Sequence, residues 1–258
     1  MRNSRLNTNI KSIFLLSSLI SLAGLFYSCS PCAIQKGPKG NWLKYEIKKG
    51  PCFGSCPVYN LYVFADGEAL LYAQNFVDDP GIFTRELSKE EYTLLCGAYK
   101  NAHWSKLKER YESNIVDLPS SQLTLYDKKG DKKTVHAQDN IPEPVIAVTN
   151  AFEKIRKDGG KWKKIFINPT TEHFDTRWLV LNLNGEDDLN TLEAKYKKYG
   201  LKRGERITPK LNYWEVTYDY TKVPGELMFY LLRKDPIVKE VAYIRANVRE
   251  PKARPGKS

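Results

Sequence analysis

Histidine is scarce in this chain, whose 258 residues include only His103, His136 and His173. The sequence also lacks a Gly-x-Ser-x-Gly elbow, a His-Glu-x-x-His helix, a phosphate-binding glycine loop and a calcium-binding loop. A histidine-based catalytic site therefore has few possible members. These absences favour a protein that is not an enzyme, and we expect no catalytic residues, no metal site and no cofactor.

Long apolar runs are equally rare, and the longest one covers Ile13–Tyr27. Arg2, Arg5 and Lys11 precede this run, which is the layout of a secretory signal peptide. The run is shorter than the roughly 20 residues that a membrane-spanning helix needs. We therefore predict that residues 1–28 are a cleaved signal peptide and not a permanent membrane span.

The end of that run, Leu25–Cys29, resembles a bacterial lipobox, in which a small residue precedes the cysteine that becomes the acylated N-terminus. Phe26 and Tyr27 replace the small residues that are usual at their positions. The resemblance implies a lipid on Cys29, and the non-acidic Ser30 implies transport to the outer membrane, facing the periplasm. Acyl chains contribute about 0.8 kcal/mol per buried methylene, so several of them anchor a protein permanently. The alternative is an ordinary signal peptide cleaved elsewhere, with Cys29 left as a plain thiol.

The chain is basic, with a formal net charge of +11. Residues 1–28 hold three basic and no acidic side chains, so the predicted mature chain keeps a charge of +8. Because export separates the chain from nucleic acid, the charge favours anionic lipid head groups, an anionic envelope polymer such as an acidic glycan, or an acidic protein as partners. The alternative is that the basic residues lie on solvated faces, since they alternate with acidic residues throughout the sequence.

Composition and motif spacing divide the rest of the chain into five segments. Residues 29–40, rich in proline, glycine and lysine, are predicted to be a lipidated tether that holds the body off the bilayer. The body is predicted to consist of an α+β domain at 41–160, a linker at 161–173 and a second α+β domain at 174–248. Residues 249–258 form a basic tail with two prolines, which we expect to be disordered.

The first domain is predicted to contain two β-hairpins and two helices. An Asp-Gly pair at 66–67 separates two strand-like runs, which is a strong hairpin signal, and Gln122–His136 carries a second hairpin pattern. Ser88 followed three residues later by Glu91 is a capping box and predicts the start of a helix. The other helix is expected to begin at Pro142, because proline is tolerated in a first helical turn.

The second domain has the element order βαββαβ, which is typical of the ferredoxin-like plait. Its strands are predicted at 178–183, 206–208, 213–220 and 238–248. Its helices are expected to begin near the acidic residues 186–188, where the helix dipole favours negative charge, and at Pro224. The predicted fold class is therefore α+β, with an N-terminal domain of two β-hairpins and two helices and a C-terminal ferredoxin-like plait.

Cys52 and Cys56 lie four positions apart in the stretch Gly-Pro-Cys-Phe-Gly-Ser-Cys-Pro. An exported protein meets an oxidising compartment, so a structural disulfide is the favoured interpretation. A metal site, a redox-active pair and two inert thiols are the alternatives that the residues leave open. Cys96 lies on the apolar stripe of its helix and is expected to be a buried core thiol, whereas Cys32 is expected to be exposed in the tether.

A family resemblance extends over about residues 42–158. The segments that carry it are GPCFGSCPVYNLYVFADGEALLY at 50–72, Leu87–Glu91, Leu107–Tyr111 and Val116–Ser121. Together they resemble a domain of unknown function found in exported bacterial lipoproteins. The resemblance implies no particular activity. The positions it marks as matching are Cys52, Cys56, Tyr59, Gly67, Tyr111, Asp117 and Pro119.

Two interpretations of these positions stay open. In the first, glycine and proline form turns, tyrosine packs in the core and Asp117 caps a loop. In the second, Arg110, Tyr111 and Asp117 line a small polar binding pocket. The function expected from the whole sequence is a lipid-anchored cell-envelope protein that acts as a non-enzymatic binding or interaction module. The alternative function is thiol-redox chemistry or metal handling by Cys52 and Cys56.

Overall fold

The predicted signal peptide, the predicted lipid site at Cys29 and the predicted basic tail lie outside the part of the chain that the structure describes. The computed structural model describes residues 32–37, 41–115, 117–158, 161–166 and 174–245. Within these ranges, every helix is too short or too polar to cross a membrane.

Eight strands from the first part of the chain form one sheet. They are β1 (Leu43–Lys49), β2 (Val58–Phe64), β3 (Glu68–Asn75), β4 (Gly81–Glu86), β5 (Arg110–Tyr111), β6 (Ser121–Tyr126), β7 (Lys132–Ala137) and β8 (Lys163–Phe166). Their order across the sheet is β5-β7-β6-β1-β2-β3-β4-β8. Neighbouring strands are antiparallel apart from β5 and β7, which are parallel.

The turn between β2 and β3 shows how local sequence sets the pairing of two strands. Gly67 has a φ of +88°, which glycine adopts without steric cost. The Asp66 carboxylate accepts a hydrogen bond from the Glu68 N–H at 3.0 Å and so closes the turn. The resulting register places Leu61 opposite Leu71, and both side chains are buried in the core on one face of the sheet.

Two helices pack on that face of the sheet: α1 (Lys89–Asn101) and α2 (Glu143–Lys157). The predicted capping box is present at the start of α1, where Ser88 and Glu91 each accept a hydrogen bond from the other's N–H. The Glu91 carboxylate also forms a two-bonded ion pair with Arg85 of β4, at 2.7 and 3.0 Å. Because Arg85 donates a further bond to the Ile155 carbonyl of α2, one buried guanidinium joins β4 to both helices.

The second part of the chain forms a four-stranded antiparallel sheet with two helices. Its elements are β9 (Phe174–Leu183), α3 (Asp188–Lys195), β10 (Lys202–Arg206), β11 (Tyr213–Thr217), α4 (Gly225–Arg233) and β12 (Val238–Arg245). The strand order is β10-β11-β9-β12. The short strand expected at 206–208 is found earlier, at Lys202–Arg206. It begins two residues after Gly200, whose left-handed conformation ends the helical segment.

Helix α4 lies between the two sheets. The ring of Tyr230 contacts Phe64 of β2 with a centroid distance of 5.1 Å, and Phe229 stacks on Tyr243 of β12 at 5.0 Å. Four residues of the first sheet are buried in the same cluster as the core of the second sheet: Tyr62, Phe64, Leu70 and Ile82. The first sheet is therefore covered on both faces, by α1 and α2 on one side and by α4 on the other.

The described residues form a mixed α and β structure with two sheets and four α-helices, which confirms the broad fold class. The predicted linker needs a correction, because its residues Lys163–Phe166 form strand β8 and pair with β4. Ile165 and Phe166 pack against the hydrophobic cluster that the two sheets share, which we call the second core. This part of the predicted linker is therefore packed on the folded body. Residues 167–173 of the predicted linker lie outside the described ranges.

Candidate functional site

The structure places the predicted binding residues Arg110, Tyr111 and Asp117 in three different settings. The Arg110 guanidinium is exposed and donates two hydrogen bonds to the Glu112 carboxylate, at 2.8 and 3.0 Å. The Tyr111 hydroxyl accepts a hydrogen bond from the Lys108 N–H at 3.1 Å. Its ring packs at the edge of the first core, the hydrophobic cluster between the first sheet and the helices α1 and α2. Asp117 adopts a left-handed conformation with a φ of +72°. The charge of Arg110 is thus matched by Glu112, its near neighbour in sequence.

Cys52 and Cys56 lie at disulfide distance, with their Cα atoms 5.7 Å apart. The loop that they close is held to the segment before β6, since the Phe53 N–H donates to the Asp117 carbonyl at 3.1 Å. The side chain of Phe53 is 89% exposed at the tip of this loop. Among the predicted binding residues, Asp117 therefore lies beside the cysteine loop and contributes its main chain to it.

A second cysteine pair corrects two sequence expectations. Cys32 and Cys96 lie at disulfide distance, with Cα atoms 5.5 Å apart, so Cys96 is not a free core thiol and Cys32 is not part of a free tether. The chain after Cys32 follows the first sheet: Ile34 packs against the first core, and the Gln35 N–H donates to the Ala65 carbonyl at 2.9 Å. Sequence spacing could not reveal this pair, because its members are 64 positions apart.

A cleft of about 650 Å³ opens between the two parts of the body. One wall comes from β1, β2 and the turn between β6 and β7, and the other from the end of α3 and the segment that leads into α4. Two carboxylates, Glu46 and Asp127, line the cleft. Its lysines outnumber them and are Lys48, Lys128, Lys129, Lys132, Lys195, Lys198 and Lys222.

Four of these lysines give the cleft its positive potential. Lys128, Lys129, Lys132 and Lys198 are exposed, and each lacks a carboxylate partner within the described ranges. The other three are paired: Lys48 with Glu46 at 3.0 Å, Lys195 with Asp235 at 2.5 Å and Lys222 with Asp219 at 3.2 Å. An anion that enters the cleft therefore meets four ammonium groups that lack an ion-pair partner, against one unpaired carboxylate, that of Asp127.

The turn between β6 and β7 places Lys128 and Lys129 on the exposed rim of the cleft. The Asp127 carboxylate accepts the N–H groups of Lys129 and Asp131, at 2.8 and 2.9 Å, and so closes the turn. Gly130 supplies the positive φ of +95° that this turn requires. Both main-chain bonds go to Oδ1 of Asp127, and within the described ranges no ammonium group forms an ion pair with this carboxylate.

Aromatic rings stand beside these lysines. Tyr220 is 64% exposed at the rim of the cleft. The Lys198 ammonium lies 4.7 Å from the centroid of the Tyr199 ring, a cation–π distance. The Trp42 indole N–H is buried and has no hydrogen-bond partner among the described groups. Ring faces next to cations suit a ligand that combines an apolar surface with an anionic group.

Glu46 forms the floor of the cleft and is 4% exposed. The Tyr126 hydroxyl donates to one carboxylate oxygen at 2.5 Å, and the Lys48 ammonium lies 3.0 Å from the other. Burial, followed by the charge of Glu46, raises the pKa of Tyr126, so its hydroxyl stays protonated at physiological pH. Both oxygens of Glu46 are occupied, which favours a structural role over acid–base catalysis.

Asp235 positions the opposite wall. It is 4% exposed and accepts hydrogen bonds from the Lys195 ammonium at 2.5 Å and the Tyr196 hydroxyl at 3.0 Å. These bonds tie the end of α3 to the loop before β12. They thereby hold the following turn, which presents Lys198 and Tyr199 to the cleft.

Sequence reasoning missed this site. The density of lysines in the stretch Lys128–Lys133 is the available signal, but in the sequence it falls within a predicted β-hairpin and does not by itself indicate a binding site. Lys198 and Tyr220 carried no signal, because only the packing of the two sheets brings them opposite that turn. Within the described ranges, histidine, cysteine and carboxylate side chains do not gather in groups of three or more that could hold a metal ion.

Comparison with known proteins finds a family model that matches part of the chain. No curated protein and no solved structure matches this chain. A family model does match, and its range contains nearly all of β1 and α2 and the whole of β2 to β7 and α1, but neither β8 nor the second sheet. This range agrees with the resemblance seen over about residues 42–158. The model that matches residues 44–156 is that of a domain of unknown function, DUF6438.

Proposed function

We propose that this chain is a lipid-anchored protein of the bacterial cell envelope and that its body is a non-enzymatic binding module. The basic and apolar leader at 1–28 and the cysteine that follows it support attachment through Cys29, on the periplasmic face of the outer membrane. The matching family has no described activity, so the binding role rests on the chemistry of the cleft.

The basic cleft between the two sheets is the observation that carries the proposal. Its four unpaired lysines attract anions, and the low-dielectric walls of a cleft strengthen that attraction. Lysine ammonium groups bind phosphate and carboxylate oxygens as point charges. Tyr220 adds an exposed ring on which a sugar can pack. The ligand class that fits is an anionic envelope polymer, namely a glycan that bears carboxylate or phosphate groups.

The proposal includes the finer fold assignment, a ferredoxin-like plait for the domain at 174–248. The element order β9-α3-β10-β11-α4-β12 and the antiparallel strand order β10-β11-β9-β12 support it. The domain at 41–160 would supply one wall of the cleft and the plait the other. The plait by itself does not specify a function, because one fold hosts many functions.

Titration of the mature protein with an acidic oligosaccharide tests the ligand class. Calorimetry with oligogalacturonate and with its neutral counterpart should show binding of the acidic sugar alone, and this binding should weaken as salt is added. The change Lys128→Gln/Lys129→Gln removes two of the unpaired ammonium groups. We expect it to weaken binding about tenfold, which corresponds to about 1.4 kcal/mol.

The matched control is Lys210→Gln/Lys239→Gln, which removes the same charge from exposed lysines of the second part of the chain. This variant should bind the acidic sugar as the unchanged protein does. Equal affinity for the acidic and the neutral sugar would contradict the proposal. An equal loss in both double variants would also contradict it, because the binding would then follow net charge and not the cleft.

A thiol-redox or metal-handling role for Cys52 and Cys56 is a second candidate. The observation in its favour is the position of their loop, where Phe53, Gly54 and Ser55 are all exposed and leave the sulfurs within reach of other thiols. Incubation with mild reductant, followed by alkylation and mass spectrometry, measures the stability of this pair. A pair that opens readily and reversibly would support the role, whereas one that resists mild reductant and a protein that retains no metal would exclude it.

A further inference from the structure

The pairing of Cys32 with Cys96 changes how close the body lies to the membrane. Cys29, the lipid site in the proposed function on which this inference rests, precedes Cys32 by three residues. A chain spans at most about 3.6 Å per residue, so the acylated residue lies within about 11 Å of Cys32. Without the disulfide, the free segment would extend to β1, and its reach would be about 50 Å.

We propose that the Cys32–Cys96 disulfide clamps the lipid anchor to helix α1 and that the surface around Cys96 faces the anionic head groups of the bilayer. Two further contacts hold the clamped segment along the first sheet. They are the main-chain bond from Gln35 to Ala65 and the exposed ion pair of Lys36 with Glu86 at 3.4 Å. Residues 32–37 of the predicted tether therefore lie on the body, which corrects the expectation of a spacer over this part.

The charge of the clamped surface fits a membrane of anionic lipids. Lys100 lies one helical turn from Cys96, on the same face of α1. Lys100, His103 and Lys106 are exposed and surround a shallow depression next to Cys96, together with the half-buried Lys44. Basic side chains close to a lipid anchor are attracted to anionic head groups, and this attraction extends over about one Debye length.

The alternation of β1 and β6 sets the direction in which the binding cleft opens. Tyr45 and Leu125 are register partners and line the depression beside Cys96. The next residue on each strand, Glu46 and Tyr126, lines the cleft instead. Because successive side chains of a strand point to opposite faces, the depression and the cleft lie on opposite faces of the first sheet. A clamp that turns α1 towards the bilayer therefore turns the cleft away from it, towards polymers in the periplasm.

Lysine footprinting of the lipidated protein in vesicles that contain phosphatidylglycerol tests this orientation. A membrane-impermeant amine reagent is applied, and the labelling rates are compared by mass spectrometry with those of a soluble Cys29→Ser chain made without the leader. Lys100 and Lys106 should react several-fold more slowly in vesicles. Lys128 and Lys129, in the cleft, should react at the same rate in both forms.

Two matched insertions test the clamp itself. A Gly-Ser insert of about twelve residues between Ser30 and Cys32 adds up to about 40 Å of reach ahead of the disulfide, so it should abolish the protection of Lys100 and Lys106. The same insert directly after Gly37 follows the disulfide and should preserve that protection. Both variants keep the cysteine pair and the folded body.

Equal protection of the two lysine pairs, or protection that survives the first insert, would overturn the inference. The mass of the N-terminal peptide separates this outcome from a failure of the proposed anchoring. A peptide without an acyl group would refute the anchoring itself. An acylated peptide together with an absent footprint would refute only the orientation.

Discussion

At the scale of single residues, Glu226 is a buried polar link between helix α4 and the first sheet. It lies in the first turn of α4, is 7% exposed and accepts bonds from the Asn60 amide at 2.6 Å and the Tyr62 hydroxyl at 2.8 Å. A carboxylate at this position is favoured by the helix dipole. Its two donors belong to β2, so the loss of this one side chain would leave buried polar groups unpaired across the interface.

We expect Glu226→Ala to lower the free energy of unfolding by about 1–3 kcal/mol, because the Tyr62 hydroxyl and the Asn60 amide then lose their acceptor. Denaturant unfolding followed by fluorescence measures the change. The control Glu205→Ala removes an exposed carboxylate of β10 and should alter stability by less than about 0.5 kcal/mol. Equal effects of the two changes would show that the interface bonds contribute nothing.

Glu91 should make the stability of the protein depend on pH. Burial opposes its ionisation, but the bonds from Arg85 and from the Ser88 N–H outweigh burial and hold the pKa of Glu91 below its ordinary value. A lowered pKa means that the folded state favours the ionised form. This contribution to stability is complete above the pKa of the unfolded chain and is lost as the pH falls through the lower, folded pKa.

Glu91→Gln should therefore cost about 3 kcal/mol at neutral pH, since it leaves the buried Arg85 guanidinium without its charge partner. The difference between the two proteins should narrow as the pH drops below the ordinary glutamate pKa of 4.5. Unfolding free energies measured from pH 7 down to about pH 3 test this. A difference that stays constant over this range would contradict the assignment of the ion pair.

At the scale of elements, the two cysteine pairs differ in the length of chain that they close. The two cysteines of the Cys52–Cys56 pair are 4 positions apart in the sequence. Those of the Cys32–Cys96 pair are 64 positions apart and enclose β1 to β4. The entropy lost by the unfolded chain on cross-linking rises with the logarithm of loop length. The Cys32–Cys96 disulfide, which closes the longer loop, should therefore stabilise the fold more than the Cys52–Cys56 disulfide.

Cysteine-to-serine pairs measure this difference. We expect Cys52→Ser/Cys56→Ser to cost about 2 kcal/mol and Cys32→Ser/Cys96→Ser about 4 kcal/mol, from chain entropy alone. Urea unfolding of each variant under oxidising conditions provides both values. A cost for the short loop that equals or exceeds that of the long loop would contradict the expected order.

At the scale of the whole molecule, the second core belongs to both sheets. Tyr62 and Phe64 of the first sheet are buried against Tyr230 of α4, and Phe166 of β8 contacts Phe229 with a centroid distance of 5.5 Å. A fragment that stops before the second sheet would expose these rings to water, at a cost of about 25 cal/mol per Å² of apolar surface. The two proposed domains are therefore expected to depend on each other for stability.

We expect the body to unfold in a single transition, with the same midpoint for tryptophan fluorescence and for far-ultraviolet circular dichroism. A fragment of residues 41–166 should bind a hydrophobic dye and unfold at lower denaturant, because the face of its sheet that α4 covers in the full chain is bare. Two separate transitions in the full chain, or a fragment as stable as the whole, would show that each domain folds on its own.

The features that the sequence by itself determined are local ones. The turn at Asp66 and Gly67, the capping box of Ser88 and Glu91 and the αβ alternation of the second half each depend on residues a few positions apart, whose backbone preferences act before any distant contact forms. The broad fold class follows from the same patterns, since apolar periodicity specifies which face of each element is buried.

Only the tertiary structure decided the features that could carry function. The Cys32–Cys96 pair, strand β8 and the cleft between Lys128 and Lys198 join segments far apart in the chain. No local preference encodes such contacts, because they depend on which buried faces pack together and at what register. The same lysines are ordinary solvated side chains in the sequence and a concentrated positive site in the folded protein.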